Sequence, residues 1–97
     1  MSERLWYDIG LVRVGEYLSG LRKALGSKYA NREKFVDFRS DELFGGEPWI
    51  SSRYLASIEL GKNWISIEKL LVLAQALEID PVDLFKRILE IYMDKRN

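Results

Sequence analysis

Between Val14 and Leu25 the apolar residues Val14, Leu18, Leu21 and Leu25 recur at three- and four-residue spacing, which predicts an amphipathic helix closed by Gly26. Upstream, Leu5, Trp6, Ile9 and Leu11 predict a short extra helix or an arm within residues 1–12. From Ser27 to Arg39 the apolar residues Tyr29, Phe35, Val36 and Phe38 follow no clean period, so residues 27–39 read as an inserted, partly ordered loop that packs down. Ser40 before Asp41-Glu42 predicts an N-cap followed by carboxylates at the positive end of a short helix. Gly45-Gly46 and Pro48 stop that helix. A second short helix runs from about Ser51 to Leu60 and ends at Gly61. Ser66 then caps a helix in which Ile67, Leu70, Leu71, Ala74 and Leu77 share one face. Asp80-Pro81-Val82-Asp83 opens the last helix, with aspartate as N-cap and proline at the first helical position. Its apolar band, Leu84, Phe85, Ile88, Leu89, Ile91 and Tyr92, is broad enough to face both a core and a second subunit.

The pattern predicts an all-α domain of five helices, in which residues 40–61 pair two short helices through a tight turn as a helix-turn-helix. A chain of 97 residues with 47% hydrophobic content can bury one modest core, so one domain is expected. The chain has no cysteine and no histidine. Disulfides, thiolate metal sites and the usual general base are therefore excluded, which argues against an enzyme and against any cofactor. Lysine and arginine (15) balance aspartate and glutamate (15), so indiscriminate binding of polyanions is disfavoured, although a local basic face can still hold phosphates. No apolar run reaches the about 18 residues of a membrane span and no signal-peptide pattern is present, so a soluble, cytoplasmic protein without a membrane partner is expected. Trp6, Trp49 and Trp64 read as core or interface anchors rather than stacking platforms for bases.

Four blocks occur in a telling order: Gly15-Glu16-Tyr17-Leu18-Ser19-Gly20-Leu21-Arg22, the Ser40 to Glu59 spacing, Ile58-Glu59-Leu60-Gly61-Lys62, and Ile67 to Leu77 before Asp80-Pro81-Val82-Asp83-Leu84-Phe85. Together, from Val14 to Phe85, they resemble the XRE (Cro/C1-type) helix-turn-helix DNA-binding family. The resemblance implies a lambda-repressor-like domain with an insertion between helices 1 and 2 and an extended C-terminal helix over 80–97. It implies that Ser51, Ser52, Arg53 and Ser57 face the major groove while Leu55 and Ile58 point inward. Tyr54, Lys62 and Asn63 would lie along the sugar-phosphate backbone, and Arg22 would form a structural ion pair with Glu59. Lys28, Arg32, Lys34 and Arg39 read either as a basic arm along DNA or, because Glu33 and Asp37 dilute them, as a solvated loop, with Arg39 assigned to the DNA backbone. The chain departs from the family at Asp41, where glutamine is usual, and at Trp49, where a turn glycine is expected and Gly46 takes the role.

The expected function is a sequence-specific transcriptional regulator, a homodimer placing two reading helices about 34 Å apart on double-stranded DNA with a pseudo-palindromic operator. Ile88, Ile91 and Tyr92 are the expected dimer contacts, with Trp6 of the N-terminal Leu5-Trp6-Tyr7 arm as a clasp. The alternative is an antitoxin-like or adaptor module of the same fold that holds a protein partner, favoured by zero net charge, Asp41 and the aromatic insertion.

Overall fold

Every α-helix in the structure begins where a short polar side chain accepts an amide that the helix itself cannot pair. Asp8 accepts from the Leu11 amide at 3.2 Å, Asn31 from Lys34 at 3.0 Å, Ser51 from Tyr54 at 3.0 Å and Ser66 from Lys69 at 3.2 Å. Asp80 accepts from both Val82 and Asp83, with Pro81 supplying the first helical residue. The computed structural model describes residues 8–94. Its helices are α1 (Ile9–Ala24), α2 (Arg32–Leu43), α3 (Ser52–Glu59), α4 (Ile67–Leu77) and α5 (Pro81–Tyr92), with a 3₁₀ turn over Ser27–Tyr29 between α1 and α2. The fold is all-α, and the described residues contain no strand.

Two expected boundaries move. Residues 9–12 are the first turn of α1 rather than part of a separate arm, because Asp8 caps the helix one turn before its apolar period begins. The segment 27–39 is not a loop: it supplies the 3₁₀ turn and most of α2. The inward face of α2 pairs Phe35 with Arg39 four residues on, so the apolar period is broken by a buried arginine. Ser40 consequently lies inside α2, where its hydroxyl donates to the Glu47 carbonyl at 2.7 Å and its own carbonyl accepts the Phe44 and Gly46 amides. The connection from α2 to α3 spans residues 44–51 and is longer than the tight turn expected. Trp49 and Ile50 of that connection are buried in the core. The Trp49 indole donates to the Val36 carbonyl at 3.0 Å and stacks on Phe44 with ring centres 4.9 Å apart.

Helix α1 is the central element, packed against both α3 and α5. Leu11, Val14 and Leu18 are its buried stripe, of which Val14 and Leu18 join Leu55 and Ile58 of α3, Leu73 and Leu77 of α4, and Leu84 and Ile88 of α5 in one core. Two glycines let α1 and α3 approach to backbone contact. A Cβ on Gly15 would stand 2.2 Å from the Glu59 carbonyl oxygen, and one on Gly61 would stand 2.6 Å from the Val12 Cα. Gly61 also ends α3 with φ +75°, a conformation that L side chains rarely adopt.

Gly15→Ala is expected to destabilise the fold by about 1–3 kcal/mol or more, because the clash is with backbone and α1 or α3 must shift. Gly20→Ala, on the same helix with nothing within 4 Å, should instead stabilise by about 0.5–1 kcal/mol. Urea unfolding of the two variants beside the parent chain measures both signs.

Candidate nucleic-acid interface

Helix α3 has one buried side and one open side. Leu55, Ile58 and Glu59 are buried, whereas Ser51 and Arg53 are exposed and Ser52, Tyr54, Ala56 and Ser57 are half-buried. The buried carboxylate is matched by two arginines. Arg22 Nε donates to Glu59 Oε2 at 2.8 Å and Arg22 Nη2 to Oε1 at 2.7 Å, a two-pronged pair with both side chains almost fully enclosed. Arg32, the first residue of α2, adds a bond from its Nε to Oε1 at 2.8 Å. Arg22 Nη1 also donates to the Tyr29 and Ala30 carbonyls, so α1, the 3₁₀ turn, α2 and α3 converge on one charge cluster. The sequence pointed to Arg22 with Glu59; it did not point to Arg32, which becomes visible once Asn31 is read as the α2 N-cap.

The remaining site residues fall into three positions. Ser51 is the N-cap of α3, its hydroxyl oxygen occupied by the Tyr54 amide, which leaves Ser52, Arg53 and Ser57 as the open residues of the helix. Asn63 Nδ2 donates to Ser57 Oγ, so the loop after α3 is tied to the helix's open side. Lys62 is exposed on that loop, with its backbone amide on the Ser57 carbonyl. The Tyr54 hydroxyl oxygen accepts the Ser66 amide at 3.0 Å and keeps its own proton to donate.

Arg39 is not on this surface. At 5% exposure it crosses to the end of α4, where Nη2 donates to Glu78 at 2.6 Å while Nη1 reaches Glu42 at 3.2 Å and the guanidinium lies over the Tyr29 ring. An arginine so enclosed is a brace between α2 and α4, not a phosphate contact. The expected dimer residues also turn inward. Ile88 is 1% exposed within the core, and Ile91 is half-buried against it. Tyr92 lies over Gly10 and beside Trp64, with its hydroxyl donating to Asp8 at 3.2 Å. Trp6 lies outside the described residues.

Charge around the open side of α3 is mixed. Arg53, Lys62 and Lys34 are exposed cations, whereas Glu33, Asp37 and Asp41 lie along the exposed side of α2. Ser52 shares a shallow groove with Glu33, Val36 and Asp37. Among the described residues no cluster of aspartate and glutamate is arranged to hold a metal ion, and no helix is long and apolar enough to cross a membrane. Further from α3, Glu42 accepts bonds from Lys28 (2.7 Å) and the Tyr29 hydroxyl (2.8 Å). The Lys28 bond, then the Tyr29 bond, lower the Glu42 pKa, and the same Glu42 bond raises that of Lys28.

Glu59→Gln is expected to cost about 3–5 kcal/mol, since it leaves the buried guanidinium of Arg22 without a counter-charge. Arg32→Ala, with its partly exposed side chain, should cost less; chemical denaturation ranks the two. Glu42 has a lowered pKa, so its contribution is present above the ordinary carboxylate value of 4.5 and is lost as pH falls through the lowered one. Acid unfolding of Glu42→Gln should therefore show a smaller loss between neutral and acid pH than the parent chain. Family models, curated proteins and solved structures return no match to this chain, so the reading of the site rests on its own geometry.

Proposed function

We propose that the chain is a sequence-specific DNA-binding regulator of the XRE (Cro/C1) type, acting in the cytoplasm as a homodimer on a pseudo-palindromic operator. The observation that carries this reading is the asymmetry of α3. One side is held against α1 by the Gly15 contact and the Arg22–Glu59–Arg32 cluster, and the other presents Ser52, Arg53 and Ser57. A helix fixed in this way can enter a major groove without reorganising. In the proposed complex Arg53 donates two bonds to guanine O6 and N7, a match worth about 1–3 kcal/mol of discrimination. Ser52 and Ser57 make shorter-range contacts to base edges, while Lys62 and the Asn63 loop position the domain on phosphates.

A second reading, a module that holds a protein partner, is supported by the acidic run Glu33, Asp37 and Asp41 beside α3. Carboxylates there repel a phosphate backbone and suit a basic partner. Selection from a random-sequence duplex pool, followed by salt titration, separates the readings. A regulator that neutralises several phosphates loses log affinity at about 0.9 per contact per log unit of salt. Arg53→Ala should relax preference at one base position, and Lys62→Ala should weaken all sequences alike and reduce the salt slope by about one contact's worth. No enriched sequence and a flat salt response overturn the DNA reading in favour of the second.

A further inference from the structure

The hydroxyls on and beside the open side of α3 have an oxygen lone pair committed inside the domain. Ser51 Oγ accepts the Tyr54 amide at 3.0 Å, the Tyr54 hydroxyl oxygen accepts the Ser66 amide at 3.0 Å, and Ser57 Oγ accepts from Asn63 Nδ2. The Ser57 bond is prepared by the backbone, since the Lys62 amide donates to the Ser57 carbonyl at 3.0 Å and returns the chain to the helix one residue before Asn63. The Tyr54 and Ser57 hydroxyl protons have no acceptor among the described residues. A hydroxyl whose lone pair meets an N–H donor must turn its proton away from it. Arg53, exposed on the same helix, can only donate.

We infer that Arg53, Tyr54 and Ser57 act as a set of donors, and that Asn63 is the positioning residue that makes Ser57 one of them. The inference rests on the DNA reading above and names which base edge that site selects. In the major groove guanine presents O6 and N7 and thymine presents O4, whereas cytosine presents an N4 amine and adenine sets an N6 amine beside N7. With its lone pair on Asn63, Ser57 facing an amine brings donor against donor. It therefore takes the keto base, guanine or thymine. Every base pair carries one keto base, so Ser57 decides which strand that base lies on, which is the orientation of the pair. Arg53 and Ser57 are four residues apart, about 6 Å along the helix, against about 3.4 Å between successive bases. The two address base pairs one or two steps apart. Tyr54, its oxygen held by Ser66, gives its proton to a phosphate oxygen at the groove edge.

Selection from a random-sequence duplex pool, run in parallel on the parent chain and on Ser57 and Asn63 variants whose circular dichroism matches it, tests the inference. Ser57→Ala should reduce selectivity about fivefold at one position, one or two steps from the guanine that Arg53→Ala relaxes, and so locates the base pair in question. At that position Asn63→Asp should turn the pair over, from G·C to C·G or from T·A to A·T. The carboxylate takes the Ser57 proton, the hydroxyl oxygen then offers a lone pair to the groove, and an amine is chosen where a keto oxygen was. Repulsion between Asp at 63 and the phosphates weakens all sequences alike, which a ratio within one pool cancels. Asn63→Ala leaves the hydroxyl able to rotate and should accept both orientations. An enriched operator whose preferences do not respond to Ser57→Ala, or whose base pair keeps its orientation in Asn63→Asp, overturns the inference while the DNA reading stands. A pool with no enriched sequence for the parent chain removes the DNA reading and the inference with it, so the two failures are distinguishable.

Discussion

Glu59 carries its charge at 4% exposure, and the arrangement of the domain follows from what must surround it. A carboxylate withdrawn from water is tolerated only where excellent hydrogen-bond geometry replaces hydration. Arg22 forks onto both oxygens and Arg32 adds a further bond, so the last turn of α3 is held to the last turn of α1 and to the first turn of α2. The backbone contact at Gly15 brings α1 against that same turn. Such a cluster orients more than it stabilises, because its Coulombic gain is largely offset by desolvation. Replacing it with apolar residues would leave a core but not a defined angle between α1, α2 and α3.

That angle is what a recognition surface requires. The open side of α3 comprises Ser52, Arg53 and Ser57, and the use of such groups depends on the helix being presented as a rigid body. Neighbouring elements modify what the surface can accept. The loop after α3 is fastened by Asn63 to Ser57, and the acidic side of α2 borders Ser52. Under the proposed DNA reading, a phosphate track would be confined to the Arg53 and Lys62 side, in a chain whose net charge is zero.

The caps Ser66 and Asp80 and the apolar periods of α1, α4 and α5 are legible in the residues, because each rests on local chemistry or on a helical repeat, whereas the Arg22–Glu59 pair joins residues far apart in the chain and is suggested only by the family resemblance. The start of α2 is not. Ser40-Asp41-Glu42 has the local form of a cap, but the chain spends the Ser40 hydroxyl on Glu47 at the other end of the helix. Asn31 is the cap instead, and Arg39 fills a position where a period count looks for an apolar residue. The error propagates: once 27–39 is taken as a loop, Arg32 has no fixed place and Arg39 is free to be assigned to DNA.

The α5 residues show the same division. A broad apolar band on the last helix is a property of the sequence, and so is the presence of more apolar surface than one core face can absorb. Which side of the band turns inward depends on where α1 and Trp64 lie, and they take Ile88, Ile91 and Tyr92. The sequence by itself determined an all-α chain, most of its helices and the apolar side of α3, since caps and periodicities act over a few residues. Only the tertiary structure decided the third member of the Glu59 cluster, the enclosure of Arg39 and the stripe of α5 left exposed, because each depends on partners distant in the chain that burial alone brings together.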